Sequence, residues 1–260
     1  MLKPSKFSDI LKGIDKILEV IESKTGGDVK FEKEVKEKKR RKTCYLDTID
    51  FKLNHRDNFL LRIREEEGTG EYDTTLKCRH PDRYLSAFYD LSSPKKNLQT
   101  KFEEDISTPF VSKFSNSASF DENKKPDIRY FKDLMSIFPN LNVLDIPETE
   151  PLKKVNNFEP NEISYKIGTL EVTDKKSVNL YLNLWYLTNS AKNSLPLIVE
   201  FTFDYEAKKQ SEKTESLLEE FPLTVARTTN NFYQLLQDKE IADLNTTKTK
   251  TDFAYKHKRH

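Results

Sequence analysis

The chain has 260 residues, of which 35% are hydrophobic and 33% are charged, and its 17 Phe and 11 Tyr are enough to build a core. Its 44 basic and 43 acidic residues give a net charge of +1, without the basic excess of most nucleic-acid-binding proteins. No apolar run approaches the roughly 20 residues that span a bilayer. Two cysteines without a CxxC motif do not favour zinc and are interpreted as buried free thiols in a reducing, cytoplasmic compartment.

An amphipathic helix is predicted over residues 5–24. Its apolar side chains recur at the i, i+3, i+4, i+7 spacing of one helix face, and Gly26 and Gly27 end the pattern. The apolar stripe is expected to pack on the outside of a sheet. A membrane surface or a partner helix is the alternative, which the mixed charges of the polar face do not favour.

From residue 29 the apolar pattern changes to a period of two, which is typical of β-strands. The predicted strands are 29–36, 43–51, 58–66, 72–79, 100–107, 163–174, 178–188 and 196–206. The charged residues 37–42 are predicted to form a turn or loop. The segment 108–162, rich in Ser, Asn and Pro, is predicted to be an insertion with one short helix near 127–138. Two helices are predicted at 210–220 and 228–238.

These elements predict a mainly β (α+β) protein. The expected architecture is an eight-stranded, antiparallel, closed β-barrel that forms a tunnel and is flanked by helices, because closure leaves no exposed strand edge. A single domain is expected over 1–245, followed by a disordered polar tail over 246–260.

Charged side chains are sorted by sign on one face of the predicted strands, because successive residues of a strand point to opposite faces. The basic set is Lys36, Arg62, Arg64, Lys77, Arg79 and Lys166. The acidic set is Glu32, Glu34, Glu103, Asp105, Glu200 and Asp204. Arg and Lys suit phosphate oxygens, and neighbouring carboxylates suit Mg²⁺ or Mn²⁺.

Two interpretations of this face remain open. Solvated outer faces of antiparallel strands also carry Lys and Glu. Like charges are nevertheless grouped in Arg62-Ile63-Arg64 and in Lys77-Cys78-Arg79, where a plain surface would tend to mix signs. The grouping favours a channel that binds a polyanion together with a divalent cation.

Several short motifs resemble the CYTH family, also called the triphosphate tunnel metalloenzymes. Glu32-Lys33-Glu34-Val35-Lys36 resembles its ExExK signature. The further matches are Tyr45-Leu46-Asp47-Thr48 to YFDT, Leu61-Arg62-Ile63-Arg64 to LRIR, Thr75-Leu76-Lys77 to LTxK, Phe102-Glu103-Glu104-Asp105 to the acidic strand, and Val199-Glu200-Phe201-Thr202 to the late ExE strand. The ordered set is more specific than ExExK alone.

The resemblance implies a tunnel that binds a triphosphate and a divalent metal, Mg²⁺ or Mn²⁺. It implies a triphosphatase acting on inorganic triphosphate, an organic or nucleoside triphosphate, or an RNA 5′ end. It implies phosphate contacts from Lys36, Arg62, Arg64 and Lys77, and metal ligands in Glu32, Glu34, Glu103 and Glu200. Glu32, Glu34, Arg64 and Lys77 are the candidate catalytic residues. Arg79 and Lys166 are further candidates for phosphate, and Asp105 and Asp204 for metal.

The sequence also departs from the family pattern. The family usually has helices where only residues 37–42 stand here, Thr202 replaces the second Glu of the late acidic pair, and the late basic strand offers Lys166 without an Arg. Three functions therefore remain open: a metal-dependent triphosphatase, a non-catalytic polyphosphate or nucleotide binder, and an adenylate cyclase. The expected partner is a small triphosphate compound, with no membrane.

Overall fold

The computed structural model describes residues 2–25, 31–107, 111–173, 176–187, 195–203 and 250–256. The helices predicted at 210–220 and 228–238, and Asp204, lie outside these residues. The chain divides into two compact units. The first unit comprises Met1–Lys39 and Glu162–Thr246, and the second comprises Arg40–Asn161 and Thr247–His260. The single domain expected over 1–245 stays a prediction.

The described residues form four α-helices and nine strands. The helices are α1 (Ile10–Thr25), α2 (Arg83–Ala87), α3 (Phe131–Ile137) and α4 (Lys250–Lys256). The strands are β1 (Phe31–Asp47), β2 (Phe59–Glu66), β3 (Tyr72–His80), β4 (Gln99–Ser107), β5 (Val111–Glu122), β6 (Lys153–Lys154), β7 (Asn161–Thr173), β8 (Lys176–Tyr186) and β9 (Ile198–Phe203). Within the described ranges, no helix has the length and apolarity needed to cross a membrane.

The nine strands belong to one mostly antiparallel sheet, which confirms the predicted β class. In the second unit the strand order is β4-β5-β3-β2-β1, with β6 also pairing with β1. In the first unit the order is β1-β7-β8-β9, and β1 runs through both units. The described residues give no pairing between β4 and β9, so that closure into an eight-stranded barrel is not confirmed.

The prediction of a turn or loop at residues 37–42 is wrong, since β1 continues through them without a break to Asp47. Its last part pairs antiparallel with β2, and Arg41 lies opposite Glu66 and Lys42 opposite Glu65. Opposite charges at directly paired positions stabilise a sheet. A run of charged residues that suggests a loop is therefore compatible with a strand whose partner carries the complementary charges.

Part of the insertion predicted over 108–162 is instead the strand β5. Its residues Val111–Glu122 all pair with β3, with β4 or with both. The strand carries Ala118 and Phe120 on its core face and alternates them with serines. Ser and Asn are less typical of strands than β-branched residues, and they conceal the period of two. The helix predicted near 127–138 is confirmed as α3, in a shorter form.

The core of the second unit lies on one face of its strands. Leu61, Leu76 and Phe120 are almost completely buried there, and α3 covers them with Phe131 and Leu134. The alternate residues of the same strands therefore point to the opposite face of the sheet. This arrangement separates the apolar residues from the sorted charges.

The core of the first unit is built on the same plan. Ile14 and Ile17 of α1 are fully buried against β7 and β8, where Ile167, Leu180 and Leu182 are equally buried. The predicted amphipathic helix and its packing on the sheet are thus confirmed. Its first predicted residues form a separate 3₁₀ turn, Pro4–Phe7.

Asp47 of the YLDT motif is buried and ties together the turn that follows β1. Its carboxylate accepts hydrogen bonds from the backbone N–H groups of Thr48, Leu53 and Asn54 at 2.7–3.1 Å. The Tyr255 hydroxyl donates a fourth bond to Asp47 Oδ2 at 2.8 Å. Burial raises the pKa of Asp47, and these four donors oppose the shift. The motif therefore has a structural explanation in this chain.

The predicted disordered tail over 246–260 is wrong for residues 250–256, because Lys250–Lys256 form the helix α4. Tyr255 is 8% exposed and its ring lies 5.2 Å, centroid to centroid, from Phe51. Asn156 Nδ2 donates to the carbonyl oxygens of Ala254 and Tyr255 at 2.9 Å. A polar sequence is thus ordered by contacts with residues that lie far away along the chain.

We expect Tyr255→Phe to lower the free energy of unfolding by about 1–3 kcal/mol, because it removes a donor to a buried carboxylate. Urea denaturation followed by circular dichroism measures the change. Tyr84→Phe, at a side chain that is 84% exposed, is the matched control and should leave stability unchanged. Equal stability of the two variants would contradict the structural role given to the Asp47–Tyr255 contact.

Candidate functional site

The face of β2, β3, β5 and β4 that lies opposite the core of the second unit carries charged and hydroxyl side chains. We call it the ionic face. Strand register places Arg62 opposite Thr75, Arg64 opposite Asp73, and Arg79 opposite Ser115. The ionic face includes Arg62, Arg64, Asp73, Thr75, Lys77, Arg79, Lys101, Glu103, Asp105, Ser115 and Ser117.

The basic side chains of this face are sheltered from water. The exposed fractions are 31% for Arg62, 19% for Arg64, 24% for Lys77 and 23% for Arg79. Lys and Arg on a fully solvated strand would keep their charged groups largely in water. The interpretation of these four residues as parts of an outer, solvated face is therefore disfavoured in the second unit.

Arg62 and Arg64 share one carboxylate, that of Asp73. Arg64 Nε and Nη2 each lie 3.0 Å from Asp73 Oδ1, and Arg62 Nη2 lies 3.9 Å from the same oxygen. Thr75 joins the group, since its hydroxyl donates to Asp73 and accepts from Arg62 Nη2. Asp73 is not among the site residues predicted from the sequence, although its position two residues before Thr75 places it on the same face.

Lys77 and Arg79 are held by the two predicted acidic residues of β4. Lys77 Nζ lies 3.4 Å from a carboxylate oxygen of both Glu103 and Asp105, and Arg79 Nη2 lies 3.0 Å from Asp105. The Nε of Arg79 is buried and has no hydrogen-bond partner within the described ranges. Four predicted site residues of the second unit are thus brought together, and the Nε of Arg79 is left without an acceptor from the other three.

Asp73 links this face to pH-dependent stability. Burial is the largest single influence and favours the protonated acid, but the charges of Arg64 and Arg62 together with hydrogen bonds from Arg64 and Thr75 outweigh it and lower the pKa of Asp73 below its ordinary 3.8. An acid whose pKa is lower in the folded state stabilises the protein above its ordinary pKa. That contribution is lost as the pH falls through the lower, folded value.

We expect Asp73→Asn to lower the free energy of unfolding at neutral pH by roughly 1–3 kcal/mol, because Arg64 loses a charged partner in a sheltered site. Below about pH 4 the difference from wild type should shrink. Urea unfolding across this pH range measures both effects. Asp127→Asn, at an exposed ion pair with Arg129, is the control. A stability difference for Asp73→Asn that does not change with pH would contradict this account.

In the first unit the structure brings together one predicted pair. Lys166 Nζ lies 2.6 Å from Glu34 Oε2, and this bond lowers the pKa of Glu34. Glu200 accepts a 3.3 Å hydrogen bond from Asn183, and Lys36 is exposed. The side chain of Glu32 lies outside the part that the structure describes, as does Asp204.

The carboxylates of the described residues do not form a complete metal site by themselves. In the ranges that the structure covers, no group of three or more His, Cys, Asp or Glu residues could hold a metal ion. Glu103 and Asp105 on the ionic face remain a pair. Both cysteines are buried, free thiols, as expected from the sequence, and burial raises the pKa of each to about 11.

No protein-family description and no curated protein matches the chain. The chain is similar to a proposed adenylyl cyclase from Hippeastrum with a dominant triphosphatase activity, at 11% identity and a TM-score of 0.46, covering 94% of this chain and 92% of that one. It is also similar to a proposed adenylate cyclase from Bacillus halodurans, at 15% identity and a TM-score of 0.33, covering 89% of each chain. At these values neither similarity says anything about the activity of this chain.

Proposed function

We propose that the ionic face binds the phosphate chain of a triphosphate compound and that the protein hydrolyses it with Mg²⁺ or Mn²⁺. One observation carries the proposal. Arg62, Arg64, Lys77 and Arg79 lie on one face of the paired strands β2 and β3, each less than one third exposed. Sheltered basic groups bind phosphate more strongly than groups in bulk water, because the local dielectric constant is lower.

A buried donor on this face, the Nε of Arg79, supports an anionic ligand. Leaving a buried donor of a charged group without an acceptor costs free energy, and the Nε of Arg79 is such a donor. A phosphate oxygen would supply the missing acceptor. Arg can also bind phosphate through two nitrogen atoms at once, which suits the neighbouring side chains of Arg62 and Arg64.

The carboxylate pair fits a metal that arrives with the substrate. Mg²⁺ is usually held by one or two carboxylates together with phosphate oxygens, and Glu103 and Asp105 are such a pair. When bound, the metal neutralises charge on the transferring phosphoryl group. The residues of the face bind and orient the substrate, while water attacks the terminal phosphorus and the bond to the bridging oxygen breaks.

The remaining predicted site residues belong to the first unit, and their roles are proposed from the sequence. Lys36 and Lys166 are proposed to contact phosphate, and Glu32, Glu34, Glu200 and Asp204 are proposed metal ligands. The resemblance of the sequence to the CYTH family motivates this set.

Phosphate release from a panel of triphosphates tests the proposal. The panel is inorganic tripolyphosphate, ATP, thiamine triphosphate and 5′-triphosphorylated RNA, each with Mg²⁺ and with Mn²⁺. We expect metal-dependent release from at least one compound, and a fall in kcat/KM of about 100-fold or more in Arg64→Ala and in Glu34→Ala, because each removes a charge that stabilises the transition state or its metal. Arg129→Ala, at an exposed arginine, is the control and should retain activity. A wild-type protein inert toward the whole panel under both metals would contradict hydrolysis.

The metal part of the proposal has its own test. We expect Mn²⁺, followed by electron paramagnetic resonance, to bind weakly alone and more tightly with tripolyphosphate, because phosphate oxygens complete the ligand set. Glu103→Gln and Asp105→Asn should weaken the ternary complex by about tenfold or more. Glu104→Gln, one position along β4 on the opposite face, is the control. Tight binding of Mn²⁺ without tripolyphosphate would show that the metal site has other ligands.

A non-catalytic binder is the second candidate. Thr202 stands where the family has a second Glu, and both Thr202 and Glu200 contact the amide of Asn183. Calorimetry separates the two functions, since tight, metal-independent binding of tripolyphosphate without turnover would identify a binder. Formation of cyclic AMP from ATP would identify the third alternative, an adenylate cyclase.

A further inference from the structure

Three residues of the ionic face occupy the same register on three neighbouring strands. Lys77 of β3 lies opposite Ser117 of β5, and Ser117 lies opposite Lys101 of β4. Their neighbours Leu76 and Ala118 are buried in the core of the second unit, so that the three side chains project to the opposite face. The result is a small hydroxyl side chain between two lysines.

Glu103 lies two residues from Lys101 on β4 and contacts both lysines. Its Oε2 lies 3.4 Å from Lys77 Nζ, and its Oε1 lies 4.0 Å from Lys101 Nζ. These distances are longer than the 2.7–2.9 Å typical of strong charge-assisted hydrogen bonds. The carboxylate is 41% exposed, so that water weakens both attractions further. Glu103 therefore neutralises the two lysines without holding them firmly.

Ser117 is 8% exposed, and its hydroxyl has no hydrogen-bond partner among the described residues. Ser115, two positions earlier on the same face, differs because its hydroxyl donates to Asp105 at 3.2 Å. The hydroxyl oxygen is not among the buried, unsatisfied polar atoms of the described residues, so that water reaches it and a phosphate oxygen can take the place of that water.

We propose that Lys77, Ser117 and Lys101 form a pocket for one phosphoryl group of the triphosphate, and that this group displaces the carboxylate of Glu103. The inference rests on the proposed function and adds two phosphate-binding residues, Lys101 and Ser117, and an exchange of anions. A phosphoryl group carries more charge and more acceptor oxygens than a carboxylate, so that it satisfies both lysines and the free hydroxyl at once. The displaced Glu103 is then available to a metal ion.

Calorimetric titration of the full chain with tripolyphosphate, in the absence of metal, tests the pocket. We expect Lys101→Ala and Ser117→Ala each to weaken binding by about tenfold, since each removes one hydrogen bond to a charged ligand. Ser117→Asp should weaken it further, because it places a fixed carboxylate between the lysines. The matched controls are Ser112→Ala, on the opposite face of β5, and Lys96→Ala, at an exposed lysine.

Glu103→Gln gives the most specific result. Because the carboxylate competes with the ligand, its removal should tighten metal-free binding of tripolyphosphate several-fold, while the same substitution weakens the metal complex. A residue with a merely structural role would not change the two affinities in opposite directions. Thermal unfolding monitors the fold of each variant, and Lys101, whose side chain is 61% exposed, can be truncated without loss of core packing.

The binding results distinguish a failure of the pocket from a failure of the proposed function on which it rests. If the wild type binds tripolyphosphate but Lys101→Ala and Ser117→Ala bind it equally well, the pocket is wrong and the proposed function stands. Weaker metal-free binding by Glu103→Gln would likewise overturn the exchange of anions. If the wild type binds no tripolyphosphate without metal, the pocket is wrong; if it binds none with Mg²⁺ either, the proposed function fails as well.

Discussion

The ionic face depends on one constraint: sheltered charges need a counter-charge. The contact of Arg62 and Arg64 with Asp73 meets it. These charged groups are 19–31% exposed, and a sheltered charge without a counter-charge would cost several kcal/mol. Asp73, Glu103 and Asp105 therefore sit among the four basic residues and satisfy part of their hydrogen-bonding capacity. A face neutralised in this way is stable before it meets a ligand, and any ligand that binds must be a stronger anion than the carboxylates.

The period of two in the sequence predicts most of the second unit correctly, because its strands have one apolar and one polar face. Strands β2, β3 and β4 lie within one residue of their predicted bounds, and Arg62, Lys77 and Glu103 lie on the predicted face. The middle of β1, residues 37–42, and the whole of β5 are missed for different physical reasons. The charges of residues 37–42 suggest a loop when their partners on β2 are unknown, and the serines of β5 lower its apparent strand propensity.

Contacts between residues far apart along the chain account for the remaining differences. Tyr255 reaches Asp47 across 208 positions, and the single-sequence pattern of a polar tail contains nothing that predicts this bond. The same applies to Asp73, whose importance comes from its register opposite Arg64. A pattern along one strand shows which face a side chain occupies, whereas its partners depend on which strands are neighbours. The candidate site could therefore be predicted as a set of charges but not as a set of contacts.

The strand β5, which was not predicted from the sequence, also changes the chemistry of the ionic face. With β5 placed between β3 and β4, Ser117 and Ser115 lie directly opposite Lys77 and Arg79 of β3, whereas Lys113 lies opposite Asp105 of β4. Side chains on β3 and β4 can then meet only by reaching across β5, which explains the long distances from Lys77 to Glu103 and Asp105. Ion pairs stretched in this way are weaker than direct ones. Lys77, at 3.4 Å from both carboxylates, is thus held less firmly than Arg79, which lies 3.0 Å from Asp105, and its ammonium group is the more available of the two to an anion.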